Sequence, residues 1–351
     1  MSFTVAPARF DGPGYTILED AALNGRNTFR VAARANLLVD VRDSTALAEV
    51  LAFPLVRSLP LLPLGEGSNL LFTRDFPGVV LNLGTRGINV LEDDGDSALL
   101  HVAAGESWND LVHWTLAKGF SGLENLVLIP GMVGAAPIQN IGAYGVEVCD
   151  VIHAVEAYDR RQGCIVRLGN ADCRFAYRDS CFKHEPDRWI VTAVVLRLPR
   201  QGTLRTDYAG IGDELARMGV ATPTATLIAE AVTRLRRRKL PDPAVIGNAG
   251  SFFKNPIVEA GVAQALKAAH PGMPAWPAGA DHCKLSAAWL IESAGLKGFR
   301  QGDAGVSEQH ALVLVNHGSA TGAQLWDVAQ HVQAGVQARF GVLLEPEPRV
   351  L

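Results

Sequence analysis

The chain has 351 residues, 48% of them hydrophobic and 19% charged, with a formal net charge of -4. That length holds two or three domains with ample core, and the balance is that of a globular, soluble protein. The charge speaks against a general nucleic-acid binder, and no apolar run reaches the roughly 20 residues of a membrane helix.

Residues 1–23 read as a poorly ordered extension without the basic and apolar regions of a secretory signal. Segments 36–41 and 59–64 read as strands. The helix between them opens at Asp43 or Ser44, good N-caps, and stops before Pro54. Strands follow at 79–83 and 99–103. Residues 107–118 predict a helix with Leu111, Trp114 and Thr115 on one face and Gly119 as its stop. Strands at 152–158, 164–168 and 190–198 complete an α+β body of about 200 residues. A helix over 226–239 leads to Leu-Pro-Asp-Pro at 240–243, whose alternate prolines predict a stiff, extended connector and the domain boundary. Beyond it come helix Ala287–Ser293 with Gly295 as stop, a strand at 311–316, and helix Gly322–Phe340 burying Leu325, Val328, Val332 and Val336. Val342, Leu343 and Leu344 read as a buried strand. Pro346 and Pro348 restrict Glu347 to an extended form.

The five cysteines are odd in number and contain no CxxC pair, and the nine histidines contain no HExxH. Neither a disulfide framework nor a metal site is expected, and a reducing cytoplasm fits.

Strand 59–64 runs into Gly-Glu-Gly-Ser-Asn at 65–69. A glycine-rich turn at a strand end offers several backbone N–H groups to an anion, and Ser68 and Asn69 add side-chain donors and acceptors. The string is not a P-loop, because no Lys-Ser/Thr pair follows. It is not the dinucleotide fingerprint, because Leu70 stands where the third glycine belongs. Alone, it reads first as a tight turn. Residues 129–145, IPGMVGAAPIQNIGAYG, contain more small residues than a turn needs, as if a flat ligand lies against the backbone. Gln139, Asn140 and Tyr144 are spaced to face such a ligand, and a rigid glycine-rich core loop is the other reading. Residues 236–256, RRRKLPDPAVIGNAGSFFKNP, run from a basic helix end into a loop that presents Ser251, Lys254 and Asn255 around two aromatics.

Together these strings resemble the UDP-N-acetylenolpyruvoylglucosamine reductase family over residues 24–351, and NTFRVAARA at 27–35 is similar to its opening motif. The resemblance implies an α+β chain with a vanillyl-alcohol-oxidase (PCMH-type) FAD-binding fold at 24–200, in two subdomains of 24–84 and 85–200. Residues 201–240 would form a tyrosine-bearing loop and connecting helix, 241–341 a smaller α+β substrate-binding domain, and 342–351 a strap returning to the flavin cleft. It implies non-covalent FAD, with Gly65, Gly67, Ser68 and Asn69 at the pyrophosphate. Gly131, Gly134, Gln139, Asn140 and Gly142 would lie along the isoalloxazine. NADPH would be the hydride donor, sharing the substrate's cleft because no Rossmann site is visible. The implied reaction is reduction of UDP-N-acetylglucosamine enolpyruvate to UDP-N-acetylmuramate, by a cytoplasmic monomer without membrane insertion.

The resemblance places the catalytic arginine at Arg178 (FAYRDSCFK), the serine proton donor at Ser251 (GSFFKNP) and the catalytic glutamate at Glu347 (LEPEPR). The chemistry explains the types. Hydride addition to an enol ether of pyruvate builds negative charge that a guanidinium can hold, and a hydroxyl can then give a proton to the adjacent carbon. Taken singly, Arg178 reads as a surface ion pair, Ser251 as a turn residue and Glu347 as a solvated tail residue; the joint match carries the assignment. Tyr144, Tyr208, Lys239, Asn255 and His310 are the implied substrate contacts. Tyr208 is followed by Ala209 where the family usually has glycine. Two other readings remain: an FAD-dependent alcohol or sugar-acid oxidase on the same fold, and a non-catalytic flavin- or UDP-sugar-binding regulator.

Overall fold

A computed structural model describes residues 8–208 and 210–351. The chain divides into two compact units. The first is built from residues 8–21, 35–66 and 77–236, and the second from 22–34, 67–76 and 237–351.

The first unit contains two five-stranded sheets. One runs in the order Arg9–Gly12, Tyr15–Ala22, Arg34–Val41, Phe76–Leu83, Leu61–Leu64. Its last pair is parallel, with Leu61 opposite Val79. A parallel pair needs a crossover, and residues 65–75 supply it, so the glycine-rich turn leaves the carboxyl end of a strand. The Asp43 carboxylate accepts from the Thr45 amide at 2.9 Å and opens the helical stretch. Pro54 begins the next helical turn, Pro54–Arg57, where its missing N–H costs nothing. Leu47, Val50 and Val56 from these turns pack on Val39, Val41, Val79 and Leu81.

Residues 9–22, expected within a poorly ordered extension, instead pair as a hairpin with Gly12 opposite Tyr15. Tyr15 explains the order: its ring is fully buried in that core, and its hydroxyl donates to Glu49 at 2.7 Å. Residues 1–7 of the expected extension lie outside the described residues.

The second sheet is antiparallel, in the order Cys164–Gly169, Ile152–Asp159, Trp189–Pro199, Ser97–Ala103, Ile88–Asp93. Helix Trp108–Ala117 is capped by the Ser107 hydroxyl, which accepts from the Asp110 amide, and Gly119 follows its end at φ +79°. That helix, helix Ile211–Arg217 and helix Ala225–Lys239 pack on Leu100, Val102, Val155, Val194 and Leu196. Leu99, Ala154 and Val195 form a small cluster on the other face. With both faces covered, strand Trp189–Pro199 reads as a nearly continuous apolar run.

In the second unit, helix Gly322–Phe340 carries a reciprocal cap between Thr321 and Gln324, ends at Gly341, and buries Leu325, Val328, Val332 and Val336. Small sheets join Ile257–Glu259, His282–Leu285 and Ala275–Pro277, and Arg300–Gln301, Ala304–Val306 and Leu314–Asn316. The Leu-Pro-Asp-Pro segment is not an extended connector. Asp242 accepts from the Ala244 amide through its side chain and from the Val245 and Ile246 amides through its carbonyl, which turns the chain. The division between units falls at 236/237, inside the preceding helix. Val342, Leu343 and Leu344 alternate buried, exposed, buried without joining a sheet. Among the described residues all five cysteines are free, and no helix is long and apolar enough to cross a membrane.

Candidate active site

In the first unit the chemistry gathers around loop 129–145. Its backbone is tied down from outside: the Gly131 amide donates to Glu66 Oε2 at 2.9 Å, the Val133 amide to the Glu106 carbonyl and the Gly134 amide to the Ala104 carbonyl, both at 2.9 Å. Asn140 does not face outward. It is fully buried at φ +45°; its Nδ2 donates to Glu147 Oε2 at 2.8 Å and the Ala176 carbonyl at 3.1 Å, and its Oδ1 accepts from the Cys149 amide. The side chain expected to meet a flat ligand is spent on holding the loop. Gln139 lies half-buried beside it.

Gly142–Ala143 pairs with Val146–Glu147, and Tyr144 and Gly145 form the connecting turn at φ +51° and +81°. Arg178 joins this hairpin, its Nη2 donating to the Gly142 carbonyl at 2.7 Å. Ala176 and Asp179 exchange backbone bonds of 3.1 and 3.0 Å, which sets Tyr177 and Arg178 at the tip of a tight turn. Arg178 sits at φ +56°, a left-handed conformation that costs a residue with a side chain about 1–2 kcal/mol. Strain of this kind collects at functional sites because the surroundings over-determine it. Here Lys183 Nζ donates to the Arg178 carbonyl at 2.8 Å and His184 pairs with Asp179 at 2.7 Å.

Tyr144 meets Tyr208 edge to face, ring centroids 5.5 Å apart. Burial pushes the Tyr144 hydroxyl pKa up against the pull of the nearby Arg236 guanidinium, and Tyr208 adds to the rise. Arg236 therefore belongs to this group, although the sequence offered it only as one of four cations at a helix end. The first unit thus brings Arg178, Gly142, Tyr144 and Tyr208 together.

In the second unit Ser251, Phe252, Phe253 and Lys254 run between two other segments. On one side Ser251 bridges Val313, and the Phe252 amide donates to the Leu312 carbonyl at 2.7 Å. On the other, Glu347 donates its amide to the Phe252 carbonyl at 2.8 Å, Phe253 bridges Pro346, and Lys254 donates its amide to the Glu345 carbonyl at 3.0 Å. Phe252 and Phe253 are buried and anchor the segment. Glu347 is therefore fixed alongside the residue after Ser251. Its own carbonyl accepts from Asn69 Nδ2 at 3.4 Å, and Arg349–Val350 pairs in parallel with Leu70–Leu71.

His310 Nδ1 accepts from the Leu312 amide at 3.2 Å, so the neutral ring carries its proton on Nε2. Burial lowers the His310 pKa, and the charges of Lys239 and Lys297 lower it further. Asn255 Oδ1 accepts from the Ala287 amide at 3.0 Å. The second unit thus gathers Ser251, Glu347, Asn69, His310 and Lys239.

The turn 65–69 fits an anionic cofactor. The amides of Glu66 and Gly67 have no acceptor in the protein among the described residues. Gly67 lies at φ +67°, and a side chain there would overlap the Arg26 carbonyl. Ser68 and Asn69 close the same turn, and Gly65 lies against Met132. Glu66, and Asn125, whose Nδ2 donates to the Tyr144 carbonyl at 2.9 Å, are the neighbours of these residues that motif reading passed over. The acid inside the glycine string was a usable signal for Glu66; an isolated Asn125 offered none.

Paired sheets with a glycine turn at a strand end, and a small-residue loop bound to it through Glu66, define a flavin-dependent oxidoreductase. Residues 35–169 match the FAD binding domain family. Residues 242–351 match the UDP-N-acetylenolpyruvoylglucosamine reductase C-terminal domain. The chain is 52% identical over 339 residues to the UDP-N-acetylenolpyruvoylglucosamine reductase of Xanthomonas euvesicatoria, covering 96% of this chain and 97% of that one. It is 50% identical over 332 residues to the Pseudomonas aeruginosa reductase of the same name, covering 95% and 98%. The crystal structure of the Thermus caldophilus reductase superposes with a TM-score of 0.66 at 27% identity, covering 95% and 98%. The chain belongs to the UDP-N-acetylenolpyruvoylglucosamine reductase family.

Proposed function

We propose that the chain catalyses the NADPH-dependent reduction of UDP-N-acetylglucosamine enolpyruvate to UDP-N-acetylmuramate, in peptidoglycan precursor synthesis, as a cytoplasmic monomer. The observation that carries this reading is the backbone ladder holding Glu347 beside the Ser251 segment, within the matched reductase domain.

FAD, when bound, supplies hydride for the terminal methylene carbon of the enolpyruvyl group. Gly65, Gly67, Ser68 and Asn69 would hold its pyrophosphate, and Gly131, Gly134, Gln139 and Gly142 would line its ring, with Asn140 bracing their loop from within. The Arg178 guanidinium stabilises the negative charge that develops on the substrate's carboxylate and adjacent carbon. The Ser251 hydroxyl, which has no protein acceptor among the described residues, donates the proton to that carbon. Glu347 orients the substrate carboxylate. Tyr144, Tyr208, Lys239, Asn255 and the Nε2–H of His310 contact the UDP-sugar.

Anaerobic stopped-flow tests this with Ser251→Ala. NADPH should bleach the flavin at the wild-type rate, while recovery of colour on adding the enolpyruvyl sugar slows about 10²- to 10⁴-fold, the usual worth of a general acid. Equal slowing of both steps would make Ser251 structural. Peroxide production without sugar reduction would replace the reductase reading with an oxidase.

A further inference from the structure

One side chain holds both partners of the Tyr144–Tyr208 contact. Asn125 is 1% exposed, and its Nδ2 donates to the Tyr144 carbonyl at 2.9 Å and to the Arg205 carbonyl at 3.0 Å. The two amide hydrogens of one carboxamide are thus divided between the turn that bears Tyr144 and the segment that bears Tyr208. Asn125 Oδ1 is buried and accepts no hydrogen bond from the described residues. A buried acceptor left without a partner is unfavourable. What ties this side chain to its neighbours is its two donors.

The segment beyond residue 200 has few other tethers. The Gly202 amide donates to the Ser121 hydroxyl at 2.9 Å, and Leu204 packs on the core. Ile211 is fully buried at the start of the next helix. Between Arg205 and Ile211, Asp207 and Tyr208 are exposed, Tyr208 at 52%. Among the described residues the Asn125 bond to Arg205 is therefore the last polar tether before Tyr208, whose own carbonyl accepts from the Ile211 amide at 3.1 Å on the far side. The other end of the contact is equally constrained, since the Tyr144 backbone is left-handed and its carbonyl is fixed by the same amide.

We propose that Asn125 is a positioning residue that registers Tyr208 on Tyr144 and so sets affinity for the UDP-sugar; this rests on the reading of Tyr208 as a substrate contact. Asn125→Asp replaces the two donors with acceptors facing two carbonyls, and Asn125→Ala removes them, so either variant frees the Arg205 carbonyl. Two measurements separate the tether from the contact it serves. Trypsin cleavage after the exposed Arg205, followed by mass spectrometry, should quicken at least five-fold in both variants, without substrate present. In steady-state assays the KM for the enolpyruvyl sugar should rise about ten-fold, with NADPH bleaching of the flavin unchanged. In a Tyr208→Ala background the same Asn125 changes should add nothing to KM, because coupled residues are non-additive. Unchanged trypsin cleavage overturns the tether. Asn125 effects on KM that persist in full without the Tyr208 ring overturn the positioning role while leaving Tyr208 as a substrate contact. A Tyr208→Ala enzyme with unaltered KM overturns the substrate-contact reading itself, and the affinity role with it, even if trypsin still reports the tether. If the Asp variant does not fold, Asn125→Ala with Asn125→Ser as the partial replacement gives the same readings.

Discussion

Arg178 is held by bonds that close within a few residues, between Ala176 and Asp179 and from Lys183, and by a bond from its guanidinium to the Gly142 carbonyl. Glu347 sits on a tail whose bonds run to distant segments: to Phe252, and through its neighbours to Asn69, Leu71 and Thr73. The first arrangement stores strain in one residue at φ +56° and depends on every neighbour fitting it. The second spreads the task over a ladder in which each rung is worth about 1 kcal/mol. A crowded turn should fail at a single contact. A ladder should lose function mainly when the side chain it presents is changed.

Glu347→Gln tests that expectation most sharply. It keeps the shape and every backbone bond of the tail and removes one charge. Recovery of flavin colour by the enolpyruvyl sugar should slow about 10²- to 10³-fold, the scale of losing one electrostatic group at a reacting centre. Bleaching by NADPH and the melting midpoint should stay as they are. A wild-type recovery rate would make Glu347 a solvated tail residue. Removal of residues 345–351 is a poorer test than the point change, because it also strips the Phe252 carbonyl, the Lys254 amide and the Thr73 amide of their partners.

Gly142→Ala probes the other side of the comparison. An added Cβ would stand 3.1 Å from Arg178 Nη1 and 3.0 Å from Glu147 Cγ. The guanidinium must shift by a few tenths of an ångström or its bond to the Gly142 carbonyl must stretch. Recovery of colour should slow about ten-fold, in line with the sensitivity of catalysis to small misplacements. Loss of stability without loss of rate would show that Arg178 tolerates the displacement and that the strained turn is not a positioning device.

The two regions were unequally legible in the sequence. Long apolar strands and capped helices stood out because their side chains alternate or recur over many residues, as in Trp189–Pro199 and Gly322–Phe340. Helix Ala260–Ala269 did not, since its small side chains bury only Ala263. The strand expected at 311–316 is shorter, because the Leu312 carbonyl and the Val313 amide are used by Phe252 and by His310. The prolines around Glu347 gave a stiff tail, but not its partners, which lie 278 positions away in the case of Asn69. Family resemblance singled out Arg178 and Ser251 as candidates but said nothing of their backbone geometry, the left-handed turn at Arg178 and the bridge from Ser251 to Val313. It put Asn140 on the ligand side, whereas the closed bonding of its amide turns it inward.

Thr73→Val is the mildest way to separate a ladder from a crowded turn. The Thr73 amide and hydroxyl both donate to the main-chain oxygen of Leu351, at 2.8 and 2.5 Å. Valine keeps the shape and the amide bond and removes only the hydroxyl, so the acceptor is not orphaned. The cost should sit near the lower end of a single hydrogen bond, about 0.5–1 kcal/mol, read as a shift in urea midpoint at constant slope. The remaining rungs from Phe252, Asn69 and Leu71 still hold the tail, so recovery of flavin colour should fall no more than two- to three-fold. If Thr73→Val were instead as damaging as Gly142→Ala, Glu347 would depend on one contact at the end of the tail. The ladder would then be no more forgiving than the turn that carries Arg178.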